Sequence, residues 1–216
     1  MKRMINDLRW KLFSAVTDIL LVFSLVESLR NGEYIWLFAA IFGIFFKKVP
    51  IIIGMYFHVN PIWELLVSAP ILLHVLGGTF DLYTNIPWWD ILTHFMSSVT
   101  VCLFAAYAMI VIDAYFAEVK FTLPVVITFV VMLSLAGGAL WEIGEYMSDK
   151  ILGTHEQKGL DDTMKDLIVD FVGGIIVSFG VSYAIERGGG YEAVKRRVIS
   201  FENSVDSQIW RNRDKK

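Results

Sequence analysis

The stretch Pro87–Ile112, PWWDILTHFMSSVTVCLFAAYAMIVI, decides how the rest of the chain is read. Its 26 residues would form a helix about 39 Å long at 1.5 Å per residue, enough to cross a hydrocarbon core of about 30 Å. Past its first two turns it carries no charge before Asp113. Two tryptophans, Trp88 and Trp89, stand at its start, where amphipathic rings favour the membrane interface. Asp90 and His94 follow at a spacing of four, which puts them on one helical face.

Similar apolar runs cover Lys11–Ser28, Glu33–Phe46, Pro61–Tyr83, Phe121–Met147 and Asp162–Ile185. Hydrophobic residues make up 56% of the 216, charged residues only 19%. The mean hydropathy of +0.56 agrees with this. A water-soluble domain would have to expose much of that apolar surface, whereas closed helices satisfy their backbone groups in lipid. The expected fold is therefore all-α, a polytopic transmembrane helical bundle of about six spans over residues 1–186, followed by a basic tail at 187–216. The Glu33–Phe46 run is short for a crossing, and Pro50–Val59 suits an interfacial or re-entrant piece. The basic N-terminus resembles a secretory signal, but Asp18 interrupts its apolar core, so a retained first span is expected.

Charge sets the orientation. Under six spans, Lys2, Arg3, Arg9, Lys11, Lys47, Lys48, Lys120 and the eight basic residues of the tail fall on one side. Arg30, Lys150, Lys158 and Lys165 fall on the other. Cytoplasmic loops are enriched in Lys and Arg, so both termini are expected in the cytoplasm of a cell membrane crossed several times. The tail reads as a topology anchor on anionic membrane lipids, not as a nucleic-acid arm. The lone Cys102 offers no disulfide and reads as packing.

The chemistry collects at the extracytoplasmic ends of four spans. Asp90 and His94 open the fourth, Glu142 and Glu145 close the fifth on a stripe with Ser134, Gly138 and Asp149, and Asp162, Asp166 and Asp170 open the sixth. The assumed span ends place His94, Glu142 and Asp166 each about 6–11 Å inward. Asp81 and the deeper His74 are further contributors from span three. Ionisable groups inside a membrane segment cost about 2.5–3.5 kcal/mol each near its centre and usually face the protein or a wet cavity. Carboxylates with one imidazole suit a hard or borderline divalent ion. Asp90, His94, Glu142, Asp162, Asp166 and Asp170 are the candidate metal ligands, and Glu142 or Glu145 the candidate general base. Glycines 137, 138, 173, 174 and 180 read as close-packing positions between helices. Asp18, Glu27, His58 and Glu64 read as isolated and lie outside this set.

The blocks Pro-Trp-Trp-Asp90-x-x-x-His94, Trp141-Glu142-x-x-Glu145 and Asp162-Thr-x-x-Asp166-x-x-x-Asp170-x-x-Gly173 resemble the YjdF-type inner-membrane family and, more distantly, the VanZ-like family associated with glycopeptide-antibiotic resistance. The resemblance covers Pro87–Gly174. The VanZ-like pattern prefers Gln at position 145 and Asn at 170, so Glu145 and Asp170 favour the YjdF-type reading. The resemblance implies a prokaryotic cell membrane and brings no reaction with it.

Three functions fit these residues: a metal-dependent enzyme acting on a lipid or cell-envelope precursor, a non-catalytic binding or accessory protein with a structural ion, and a proton- or cation-coupled transporter. The sequence leaves oligomeric state open. The topology predicts that a reporter active only outside the cytoplasm works when inserted between Gly153 and Gly159 and fails when fused after Lys216. The reverse pattern would overturn the orientation.

Overall fold

A computed structural model describes residues 8–50, 62–116 and 120–200. Among them all regular structure is helical. The six main helices are α1 (Leu8–Asn31), α2 (Tyr34–Phe46), α3 (Ile62–Thr79), α4 (Trp89–Tyr115), α5 (Leu123–Leu152) and α6 (Leu160–Arg187). A single helical turn, Leu82–Asn85, separates α3 from α4. Five of the six are long and apolar enough to cross a membrane, and α2 is the shorter apolar helix. Only 22–39% of the most apolar window of each long helix is buried, so most of that surface faces outward, as lipid contact requires. The chain is an all-α polytopic membrane protein. The Pro50–Val59 piece and His58 lie largely outside the described residues.

Helix ends depart from the sequence reading where polar residues continue a helix. α5 starts after Thr122 with Pro124 in its first turn, where a missing N–H costs nothing. It runs five residues beyond Met147, to a left-handed Gly153 at φ 71°. Span three instead stops at Thr79, because Asp81 takes a left-handed conformation at φ 54° and turns the chain.

The chain divides into two compact units, Met1–Met96 and Ser97–Lys216, with the boundary inside α4. In the first, Leu21, Ala40 and Val75 from α1, α2 and α3 form a dry core with Ile71 and Leu72 against it. Below that core lies a cluster of charge. Lys47, directly after α2, is fully buried. Its ammonium donates to Ser14 O at 3.0 Å and Thr17 Oγ1 at 2.5 Å, and lies 2.8 Å from Asp18 Oδ1. Ser14 and Thr17 accept two of its N–H groups, and Asp18 supplies the opposing charge. Lys48 reaches Asp18 Oδ2 at 2.7 Å, while Ser14 Oγ donates to Glu64 Oε1 at 2.5 Å. Glu64 lies 3.7 Å from Lys47 and 4.0 Å from Lys48.

This corrects the reading of Asp18 and Glu64 as isolated: two lysines neutralise two carboxylates and tie α1, α2 and α3 together. Glu27 is also partnered, by Arg30 at 3.4 Å. The second unit packs Cys102, Ala105, Ala106 and Met109 of α4 against Val126 and Val130 of α5 and Val177 of α6. Cys102 is a packing residue there, with no exposed surface.

Removing one partner of a buried ion pair leaves the others uncompensated, at a cost of about 3–5 kcal/mol. Lys47→Met is expected to destabilise the protein by about 3 kcal/mol, near the low end because Asp18 is partly exposed. Adding Asp18→Asn should recover part of the loss. Additive losses in denaturant unfolding of the detergent-solubilised protein would contradict the coupling.

Candidate functional site

Within the first unit, the start of α4 is seated on α3 by the Trp89 indole, whose N–H donates to Leu73 O at 3.0 Å. Gly77 makes room for this, since a Cβ there would collide with Trp89 Nε1 and the Tyr83 ring. One turn into α4, His94 is 5% exposed, with its Nε2 3.9 Å from Asp90 Oδ1. His74 on α3 pairs its Nδ1 with the Tyr83 hydroxyl at 2.9 Å and meets the Trp36 ring edge-on at 5.2 Å. Asp90, His94 and His74 therefore belong to one end of this unit, and Asp81 serves the turn beside them.

The second unit orders the remaining carboxylates by register. Ser98, one turn along α4 from His94, donates to Asp170 Oδ1 at 2.6 Å. Ser134 on α5 donates to the Asp170 main-chain oxygen at 2.7 Å. The other carboxylate oxygen of Asp170 lies against Gly138, so close that any Cβ there would overlap it. Gly174 plays the converse part, fitting against Ser134 and Val131. The close-packing expectation thus holds at Gly138 and Gly174. At Gly137 the nearest atom to an added Cβ is 3.8 Å away, and at Gly180 nothing described lies within 4 Å.

α5 and α6 are joined by a short loop, and Asp166 and Glu142 each lie one turn from the Asp170–Gly138 contact toward it. Both are buried, at 4% and 6% exposure. Because α5 extends to Leu152, Glu142 is ten residues, about 15 Å, from its helix end, deeper than its expected depth. The loop descends to meet it. Asp149 accepts from Thr154 Oγ1, the Glu156 N–H and the Gln157 N–H at 2.5, 2.8 and 3.0 Å. Gln157 Nε2 then donates to Glu142 Oε2 at 2.7 Å. Gln157 did not stand out in the sequence as a partner of Glu142, since a polar loop residue carries no periodicity.

The other two carboxylates differ. Glu145 lies to the side of the buried stripe and accepts from the Trp141 indole at 2.9 Å. Asp162 is partly exposed, 3.8 Å from Lys158. Of the trio Asp90, His94 and Asp166, the latter two are buried and the first half-buried. At the far end of α4, buried Asp113 is paired with Lys195 of the tail at 2.7 Å. Burial, together with that carboxylate, raises the Tyr191 phenol above its ordinary pKa. The first part of the tail is thus docked on the protein, with residues 191–200 helical.

Such a chain is a multi-pass helical membrane protein whose buried polar groups, among the described residues, include carboxylates, hydroxyls, the Lys47 ammonium and the His94 imidazole. It belongs to the family described as predicted membrane protein DUF2238, whose model matches residues 11–187. The YjdF-type resemblance agrees with this family, and the VanZ-like one gains no support. A relative from Thermotoga maritima, itself described as an uncharacterized protein, is 37% identical over 112 residues. The match covers 51% of this chain and 56% of the relative, so it spans about half the length of each. No solved structure matches.

The contrast between neighbouring glycines is testable. Gly138→Ala should displace Asp170 from Ser98 and cost about 1–3 kcal/mol by overpacking. Gly137→Ala should be neutral or mildly stabilising, because helix propensity favours alanine by up to about 1 kcal/mol. Thermal unfolding of the two variants in the same detergent decides this, and equal midpoints would refute the close contact.

Proposed function

We propose that this membrane protein holds a divalent cation near its extracytoplasmic face and acts there on a lipid or cell-envelope precursor. The carrying observation is the burial of His94, Glu142 and Asp166 inside largely apolar helices. An imidazole and carboxylates drawn out of water are stabilised by a cation, and oxygen donors with a single nitrogen fit a hard or borderline divalent ion. The candidate donors are Asp90, His94, Glu142, Asp162, Asp166 and Asp170, of which His94, Glu142, Asp166 and Asp170 are buried.

A bound ion would supply Lewis-acid polarisation of a phosphoryl or ester oxygen. The chain's own residues define the rest. Glu142 is the candidate general base: it is buried, and one of its carboxylate oxygens is already fixed by an amide donor. Glu145, engaged with Trp141 away from the buried stripe, is the weaker candidate for that role. The Trp88 and Trp89 rings suit a headgroup-level approach from the bilayer.

A second reading, a non-catalytic binding or accessory protein with a structural ion, is favoured by the engagement of Asp170 in helix packing through Ser98 and Gly138. The two readings separate at Glu142. Elemental analysis of gently purified protein should find a divalent metal, and His94→Ala and Asp166→Asn should each weaken its binding at least about tenfold. If the protein is an enzyme, Glu142→Gln keeps the metal and loses the activity. Metal-free protein with full function in Asp166→Asn cells would sink the proposal.

A further inference from the structure

Gln157 belongs to a seven-residue loop, 153–159, bounded by glycines in conformations that side chains rarely adopt, φ 71° at Gly153 and 111° at Gly159. These turns let the chain double back beside α5 instead of extending into solvent. Its path is then pinned from both helices. Asp149 of α5 holds the main chain at Glu156 and Gln157, and Thr163 of α6 donates its hydroxyl to Gln157 Oε1 at 3.0 Å.

The other side of the amide decides which way it faces. The Glu142 main-chain oxygen can only accept, so Nε2 is the end turned toward Glu142, 3.4 Å from that oxygen and 2.7 Å from Oε2, while the Thr163 hydroxyl, able to donate, serves Oε1. An amide NH2 donates and never accepts. Glu142 is thus offered a donor at Oε2, which restrains the rotation of the carboxylate about its own axis.

We propose that Gln157 is a positioning residue that orients the Glu142 carboxylate toward the cation site, with Asp149 and Thr163 holding Gln157 in turn. The assignment rests on the reading of Glu142 as part of that site. It makes the α5–α6 loop a working part of the protein and distinguishes Glu142 from Glu145, which takes its hydrogen bond from Trp141 on its own helix. Partners of this kind, one bond removed from the ion, typically change metal affinity about 10–100-fold when lost.

The test uses full-length protein in detergent with Co2+ as probe, followed by titration and by its visible absorption spectrum. Gln157→Leu, which keeps the side-chain bulk and removes the donor, should weaken Co2+ binding about 10-fold or more and alter the spectrum. Gln157→Asn, too short to span the same gap, should not rescue it. The reciprocal exchange Glu142→Gln with Gln157→Glu restores a hydrogen bond between the two positions but moves the charge onto the loop. It should recover the thermal midpoint lost in Gln157→Glu while Co2+ affinity stays low. If Gln157→Leu lowers the midpoint yet binds Co2+ with unchanged affinity and spectrum, the residue only fastens the loop and the proposal is overturned. If the unaltered protein binds no Co2+, the cation-site reading itself falls, and this proposal with it.

Discussion

Charge inside an apolar helix has to be answered by the same chain, because hydrocarbon offers neither water nor counterions. Much of what is specific in this protein follows from that requirement. The first unit answers it with opposite charge: Lys47 and Lys48 meet Asp18 and Glu64. The second answers it largely with hydrogen bonds, as Asp170 receives the Ser98 hydroxyl and Glu142 the Gln157 amide. Hydrogen bonds to an ionised group contribute about 1.5–3 kcal/mol each, comparable to the cost of placing one charge in a span.

The two solutions leave different chemistry behind. A buried lysine bonded to Ser14 and Thr17 and ion-paired with Asp18, which a second lysine also bonds, has little left to offer a ligand. It is a clasp. A carboxylate held by a neutral amide or hydroxyl, as Glu142 and Asp170 are, is the chemistry a bound ion would complement. Glu142 and Asp18 differ in this way although both are acidic residues within spans: one is bonded by a neutral amide, the other by an ammonium group.

What the sequence displayed was whatever has a period. Apolar runs gave the helices, and spacings of four gave the shared faces of Asp90 with His94, Asp166 with Asp170, and Ser134 with Gly138 and Glu142. Contacts between distant segments left no such trace. Lys47 and Lys48 look like the polar end of a short span, yet their partners are about thirty residues earlier in α1 and, at Glu64, beyond the next stretch of chain. Ser148, Asp149 and Lys150 have the composition of a loop, yet they continue α5, because Asp149 is saturated by the N–H and hydroxyl groups of the loop that follows. Glu145, three residues from Glu142, is rotated about 60° around the helix, and that angle places it beside Trp141 instead.

The pairing of Asp113 with Lys195 spans 82 residues. A chain made from its N-terminus has α4 in place long before Lys195 is synthesised, so for that interval the carboxylate must be met by water or lipid headgroups at the membrane edge. Its final partner arrives only after α5 and α6 have been made. The ion pair is thus also a marker of completion: it can form only once the last helix has been inserted with its tail on the same side as the end of α4.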